Sequence, residues 1–232
     1  MLFSNDAVVK FINTYFEPTW ESVRPVPILR LDFGSGNVIT RTLHGNIATY
    51  VCTAEGEALD ILPGIYTPTA YLEQLQQFRL LANFVDQEGK DKRAERCKQY
   101  HEKLAAALKA EKVPPHFINM ADFSKKAIEG GIKAALADGK AEAKPEHKEA
   151  DLGLGNKDDL SSWKALKEDT ELNEKVRRLQ VHEMLAKEPL VLPEKITKPL
   201  YKDVLHSDLD DPYLGLGKLL FADYAFEKED KR

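Results

Sequence analysis

A chain of 232 residues, 43% of them hydrophobic, is long enough for one large domain or two modest ones with a real core. A formal net charge of -5, from 38 Asp and Glu against 33 Lys and Arg, gives no general electrostatic pull toward nucleic acid or an anionic membrane. No apolar run approaches the roughly 18 residues that span a bilayer, and Cys52 and Cys97 are too few for a disulfide framework and are expected as free thiols.

The N-terminus "MLFSNDAVVKFIN" lacks the basic start and long apolar stretch of a signal peptide, so the default location is the cytoplasm. A leader preceding Met1 would make the protein periplasmic or secreted instead.

Ser4 is placed to cap a first helix, in which Val8, Phe11, Ile12, Tyr15 and Phe16 recur at helical spacing and bury one face of residues 5–15. "FEPTWESV" reads as a strand. "PVPILRLDF", the turn "GSGN" and "VITRTL" form a β-hairpin over residues 26–43, because Gly34 and Gly36 supply backbone freedom between two β-branched runs. Residues 47–52 are nearly continuously apolar, as in a central strand buried on both faces, and "AEG" turns the chain into "EALDIL". Thr67 followed by Pro68 starts a helix whose Tyr71, Leu75, Phe78 and Leu81 face the sheet.

From Asp86 the chain becomes "DQEGKDKRAERCKQYHEKLAAALKAEK", a charged helix with a thin apolar stripe, read as a connector or a partly exposed helix within residues 86–137. Residues 138–158, rich in Lys, Glu, Ala and Gly, hold almost nothing that burial could use to offset the entropy of ordering, and form a flexible linker. Helical periodicity returns at 160–185 and 196–205. Residues 159–232 are therefore a helical region with an extended C-terminal tail, behind an α/β domain at 1–85.

The first third of the chain resembles a branch of the thioredoxin superfamily. "FSNDAVVKFINTYFEPTW", from Phe3 to Trp20, matches the segment that follows the Cys-x-x-Cys helix in that branch. Gly45, Ala48 and Thr49, "YVCTAEGEALDILPG" and "IYTPTAYLEQL" match its later strand entry, paired strands and helix start. The likeness covers residues 3–80 and implies a thioredoxin-like α/β fold there; it says nothing about residues 90–232, whose mainly α-helical character is read from the periodicity above. Two departures stand beside it. Ala48 occupies the position of the family's cis-proline, where a cis bond without proline would cost about 2.5–4 kcal/mol, and the dithiol itself would fall upstream of Met1.

Chemistry is sparse. Cys52 is the candidate catalytic thiol, but nothing in "YVCTAEG" supplies the cation or helix N-terminus that would lower its pKa, so it reads as a buried structural cysteine. Cys97 and His101, spaced i and i+4, could face one metal ion, yet a zinc site needs about four ligands and no other close Cys or His pair completes it. "LGLG" occurs at 152–155 and 214–217 as glycine turns, or as short docking motifs, and matches no phosphate-binding loop. The acidic "DLDDPY" departs from calcium-loop spacing and reads as a solvated turn. No cofactor is expected.

The tail offers a partner-binding set: Asp211, Pro212, Tyr213, Leu214, Leu219, Phe221, Tyr224 and Phe226. Its apolar part packs on the chain's own helices or, failing that, is an adhesive arm for another protein. The sequence thus points to a redox-inactive, thioredoxin-like interaction or accessory-subunit module whose partner is another protein. A thiol-disulfide oxidoreductase, or its remnant, with a dithiol outside this chain is the alternative.

Overall fold

The computed structural model describes residues 2–32, 34–42, 47–87, 89–111 and 157–216. Helices predominate, with two antiparallel strand pairs among the described residues.

Helix α1, Asp6–Tyr15, is capped by Asn5 rather than Ser4. The Asn5 side chain accepts from the amides of Ala7 and Val8, while Ser4 ends a preceding 3-10 turn over Leu2–Ser4. Val8 and Phe11 supply the buried face. Residues 16–27 carry no strand pairing, contrary to the reading of "FEPTWESV". Pro18 removes one ladder donor, and among the described residues no strand pairs with this stretch to satisfy the others.

Strands β1 (Ile28–Asp32) and β2 (Val38–Thr42) form the expected hairpin, with Leu31 opposite Ile39 and Asp32 opposite Val38. Gly34 and Gly36 both have positive φ, and the Asp32 carboxylate accepts from the Gly34 amide at 2.9 Å, which closes the turn. A second hairpin pairs β3 (Ala48–Cys52) with β4 (Ala58–Pro63).

The buried strand is β4, not β3. All six β4 residues are buried, while β3 is mostly half-buried and ends at an exposed Cys52. The cause lies downstream in the chain. Helix α2, Pro68–Asp86, capped by the Thr67 side chain, joins Leu62 to α1 through Tyr71, Leu75 and Phe78. Helix α3, Arg93–Lys109, buries Cys97, Tyr100, His101, Leu104 and Ala105 along one stripe and packs against Leu59, Leu81 and Val85. It is a partly exposed helix whose stripe is core, rather than a connector.

Helix α4, Lys157–Leu172, passes through a π-helical turn, Asn173–Arg177, into α5, Arg178–Lys187. Helix α6, Pro193–Pro199, ends in a second π turn, Leu200–Val204. Val181, Leu185, Val191, Ile196, Leu200 and Val204 enclose Ile61. The Val191 carbonyl also accepts from the Ala58 amide at 2.9 Å, beside the start of β4. Packing therefore runs across residue 85, and β4 is held from both halves of the sequence. Most of the 86–137 and 138–158 segments, and the first "LGLG", lie outside the described residues.

Candidate functional site

The burial of β4 includes a carboxylate. Asp60 is 0% exposed, and an ionised carboxylate cannot remain there without partners. It has four. Its Oδ1 accepts from the Ile61 amide and from Arg178 Nη1, and its Oδ2 accepts from Arg178 Nη2 at 2.8 Å and the Tyr100 hydroxyl at 2.9 Å. Arg178 Nη1 also donates to the Ile61 carbonyl at 2.7 Å, and its guanidinium lies 5.6 Å from the centre of the Phe78 ring. Burial alone would raise the Asp60 pKa, but the Arg178 guanidinium outweighs it and holds the group far below the usual carboxylate range.

Next to this pair lie two histidines. His101 Nε2 faces the Leu59 carbonyl at 3.0 Å, and a carbonyl can only accept, so that nitrogen carries the proton. His101 Nδ1 then holds a lone pair and accepts from His182 Nδ1–H at 2.8 Å. Both rings are neutral in this arrangement. Burial pushes His101 down to about 4, with Asp60 opposing, and burial followed by the Arg178 charge pushes His182 well below its ordinary value. The Tyr100 hydroxyl moves well upward through burial and then the Asp60 charge. Its ring stands edge-on to His182, with centroids 5.8 Å apart.

The placement follows from local structure. Tyr100 and His101 belong to the buried stripe of α3, and Arg178 and His182 are four residues apart on one face of α5. The π turn before Arg178 is anchored by Asn173, which donates to the Ile65 carbonyl at 2.8 Å and accepts from Arg177.

Asp60, His101 and His182 present ligand atoms within 4.8 Å of one another. They do not fit a metal centre. Every lone-pair direction of Asp60 is already used, and a divalent cation would stand beside the Arg178 guanidinium. Since Asp60, His101 and His182 are sealed from solvent, the cluster also offers no substrate access. Its chemistry is that of a lock joining β4, α3 and α5 while each buried polar atom named here finds a partner.

Cys97 and His101 do share one face, and the Cys97 thiol lies 3.8 Å from the same Leu59 carbonyl. Burial, then the Asp60 charge, pushes this thiol up to about 12, which disfavours the thiolate that a nucleophile or metal ligand needs. The sequence reading missed His182, Asp60 and Arg178. A carboxylate inside the apolar run "ALDIL" was the available signal for Asp60.

Cys52 is exposed, which corrects the reading of a buried cysteine. It sits where β3 runs into the turn, at the rim of a cleft with Glu55, Leu59, Ala82, Asp86 and Arg93. Desolvation and then Glu194 raise its pKa. Arg93, the cation lining the cleft, is committed to Glu55 at 3.2 Å and Asp86 at 2.7 Å.

In the tail, the Asp211 carboxylate accepts from the Tyr213 amide, and the main-chain carbonyls of Asp211 and Pro212 accept from Arg24. Leu214 is buried within the chain, whereas Tyr213 is 57% exposed. Asp208 and Asp210 pair with Lys202 and Lys198. Leu219, Phe221, Tyr224 and Phe226 lie outside the described residues.

The surface carries a different feature. Between α1 and the end of the first hairpin, Trp20 (86% exposed), Val23, Val26, Ile28 (66% exposed), Leu31, Val38 and Ile39 all face solvent. Among the described residues no helix is long and apolar enough to cross a membrane. No family model, curated protein or solved structure matches the chain.

Proposed function

We propose that the chain is a redox-inactive interaction module on a thioredoxin-like scaffold, which docks another protein through the apolar arm from Trp20 to Ile39. The observation that carries the reading is the concentration of large apolar side chains in solvent over this one stretch. Single exposed apolar residues are ordinary on any surface, but a run of them in sequence and along one hairpin marks a docking surface.

Three further points support it. The sequence has no Cys-x-x-Cys, and both thiols are shifted away from the thiolate form, Cys97 to about 12. The buried polar cluster is closed to substrate, so its contribution is to hold β4, α3 and α5 together. A β3–β4 hairpin with helix α2 packed on it is compatible with such a scaffold, although the described strands form two separate two-stranded sheets.

Two measurements test the proposal. The chain should not accelerate the precipitation of insulin by dithiothreitol; acceleration that disappears in a Cys52→Ser/Cys97→Ser chain would restore the oxidoreductase reading. Purified from its native cells, the chain should bring down a stoichiometric protein that a Trp20→Asp/Ile28→Asp/Ile39→Asp chain of equal thermal stability loses. Equal recovery by both chains sinks the arm as the docking surface.

A further inference from the structure

Strands β1 and β2 form a two-stranded sheet separate from β3 and β4. None of their residues belongs to the three buried clusters, and no described residue from 17 to 47 is buried. A hairpin of two strands is at best marginal in water, and a third strand or a packed face is what normally completes it. Among the described residues β1 pairs only with β2. Alternate residues of β1 therefore turn their N–H and C=O groups toward an edge on which no described strand lies, and such an edge is a template for another strand.

The charges along this edge select its occupant. β1 reads Ile-Leu-Arg-Leu-Asp from Ile28 to Asp32. When a second copy pairs antiparallel along it, the two-fold axis is normal to the sheet and keeps every side chain on its own face. Opposed residues of a sheet share a face, so one residue must lie on the axis. With Arg30 there, guanidinium opposes guanidinium and Ile28 opposes the Asp32 carboxylate. With Asp32 there, like charges meet again. With Leu31 there, Leu31 opposes its own copy, and Arg30 of each chain opposes Asp32 of the other. Only this register sets both charges against their complements, and opposite charges in such positions stabilise a sheet where like charges destabilise it. Arg30 and Asp32 are both exposed, Leu31 is 44% exposed, and the Asp32 carboxylate engages the Gly34 amide through Oδ1 alone. The β2 edge, Val38–Thr42, has Arg41 as its one charged residue and offers no such pairing.

We propose that two copies of the chain pair antiparallel through β1, with Leu31 on the two-fold axis, into one four-stranded sheet that carries an Arg30–Asp32 ion pair on either side of the axis. The pairing uses the edge of the hairpin and its charges, and it does not depend on the docking of another protein proposed above.

Sedimentation equilibrium tests it on the chain of 232 residues, whose mass should rise with concentration from 26.2 kDa toward twice that value. Arg30→Asp should abolish the rise, because carboxylates then oppose carboxylates. Arg30→Asp/Asp32→Arg in one chain should restore it. A Leu31→Cys/Cys52→Ser chain gives a second reading that leaves the Asp32 turn intact: opposed Cα atoms in an antiparallel pair stand about 4.5–5.5 Å apart, within disulfide range. Oxidised glutathione should therefore cross-link it to a dimer, and should leave a Thr40→Cys/Cys52→Ser chain, altered on the far strand, as monomer. A mass of 26.2 kDa at millimolar protein overturns the proposal; β1 amides protected from exchange in that monomer would assign the edge to another segment of the same chain. A dimer that Arg30→Asp leaves intact, or equal cross-linking through Leu31→Cys and Thr40→Cys, overturns the register and with it the proposal. None of these readouts involves capture of another protein, so failure of the docking surface would leave them unchanged.

Discussion

Asp60 of β4 and Arg178 of α5 meet as a two-point ion pair in the centre of the molecule, both buried, and Tyr100 of α3 closes the fourth hydrogen bond to the carboxylate. Removing only one partner leaves a charge in a place that water cannot reach. Arg178→Met should therefore destabilise the fold by about 3–5 kcal/mol. Asp60→Leu combined with Arg178→Met removes both charges, and should recover a large part of that loss. Urea unfolding of the two chains checks this, and a double variant no more stable than Arg178→Met would show that the pair is not the unit of stability.

Acid should act on the neighbouring histidines first. In the unfolded chain each His takes up a proton near pH 6.5, whereas burial holds His101 at about 4 and His182 well below its ordinary value. Between those limits the unfolded state binds more protons, so stability is present above about pH 6.5 and is lost as pH falls toward 4. His101 alone accounts for a loss on the order of 3 kcal/mol across that window. Asp60, held low in the folded state, adds a second loss only below about pH 4, where its unfolded carboxyl protonates. Thermal unfolding at pH 7 and pH 5 should show a marked drop in Tm. In a His101→Gln/His182→Leu chain the same drop should be much smaller, and an unchanged drop would assign it to other groups.

Zinc offers an independent check on the reading of this cluster as a hydrogen-bonded lock. With Asp60 saturated and Arg178 adjacent, neither zinc nor a chelator should move the Tm of the native chain. A saturable rise in Tm with zinc that disappears in His182→Leu would establish a metal centre instead.

Local signals in the sequence carried much of the secondary structure. Thr67 before Pro68 places the start of α2, the paired glycines place the first hairpin, and the helical spacing at 160–185 and 196–205 is found in α4 to α6. What local pattern could not supply was the partner of each face. Helix α3 has many charged residues, so its stripe of Cys97, Tyr100, His101 and Leu104 looked too thin for a core. That stripe becomes a core face against Leu59, Leu81 and Val85 before it and against α5, which arrives from much later in the chain. For the same reason β3 looked more central than β4, and Asp60 went unread, because its partner Arg178 lies far along the chain. Asn5 prevailed over Ser4 as the cap because the residues before it close a turn of their own.

Gly64 records another contact between distant parts of the chain. Its φ is +83°, and a Cβ there would stand 2.7 Å from Asn173 Nδ2 and 2.8 Å from Oδ1. Asn173 cannot readily move, since it is buried and bonded to the Ile65 carbonyl and to Arg177. Gly64→Ala should cost about 1–3 kcal/mol from backbone strain and the displaced side chain together. If Asn173 is the obstacle, adding Asn173→Ala should leave a smaller penalty for the alanine than in the native background; equal penalties would assign the cost to φ alone.

The last prediction concerns Arg24. Three main-chain carbonyls of the 209–212 turn converge on one guanidinium, an arrangement that an ammonium on a flexible stem cannot reproduce. Arg24→Lys should then behave much like Arg24→Ala. The global loss should be about 1–2 kcal/mol, because the contact is only part-buried. The local effect should be larger: amide hydrogens of Asp211, Leu214 and Leu216, which close the turn on itself, should exchange faster in both variants. Amides of α3 and α5, which lie away from the carbonyls of Leu209, Asp211 and Pro212 in the sequence, should exchange no faster than the global loss dictates. Unchanged protection at Asp211, Leu214 and Leu216 in Arg24→Ala would mean that the turn is held by Lys198 and Lys202 through Asp210 and Asp208, with Arg24 a passenger.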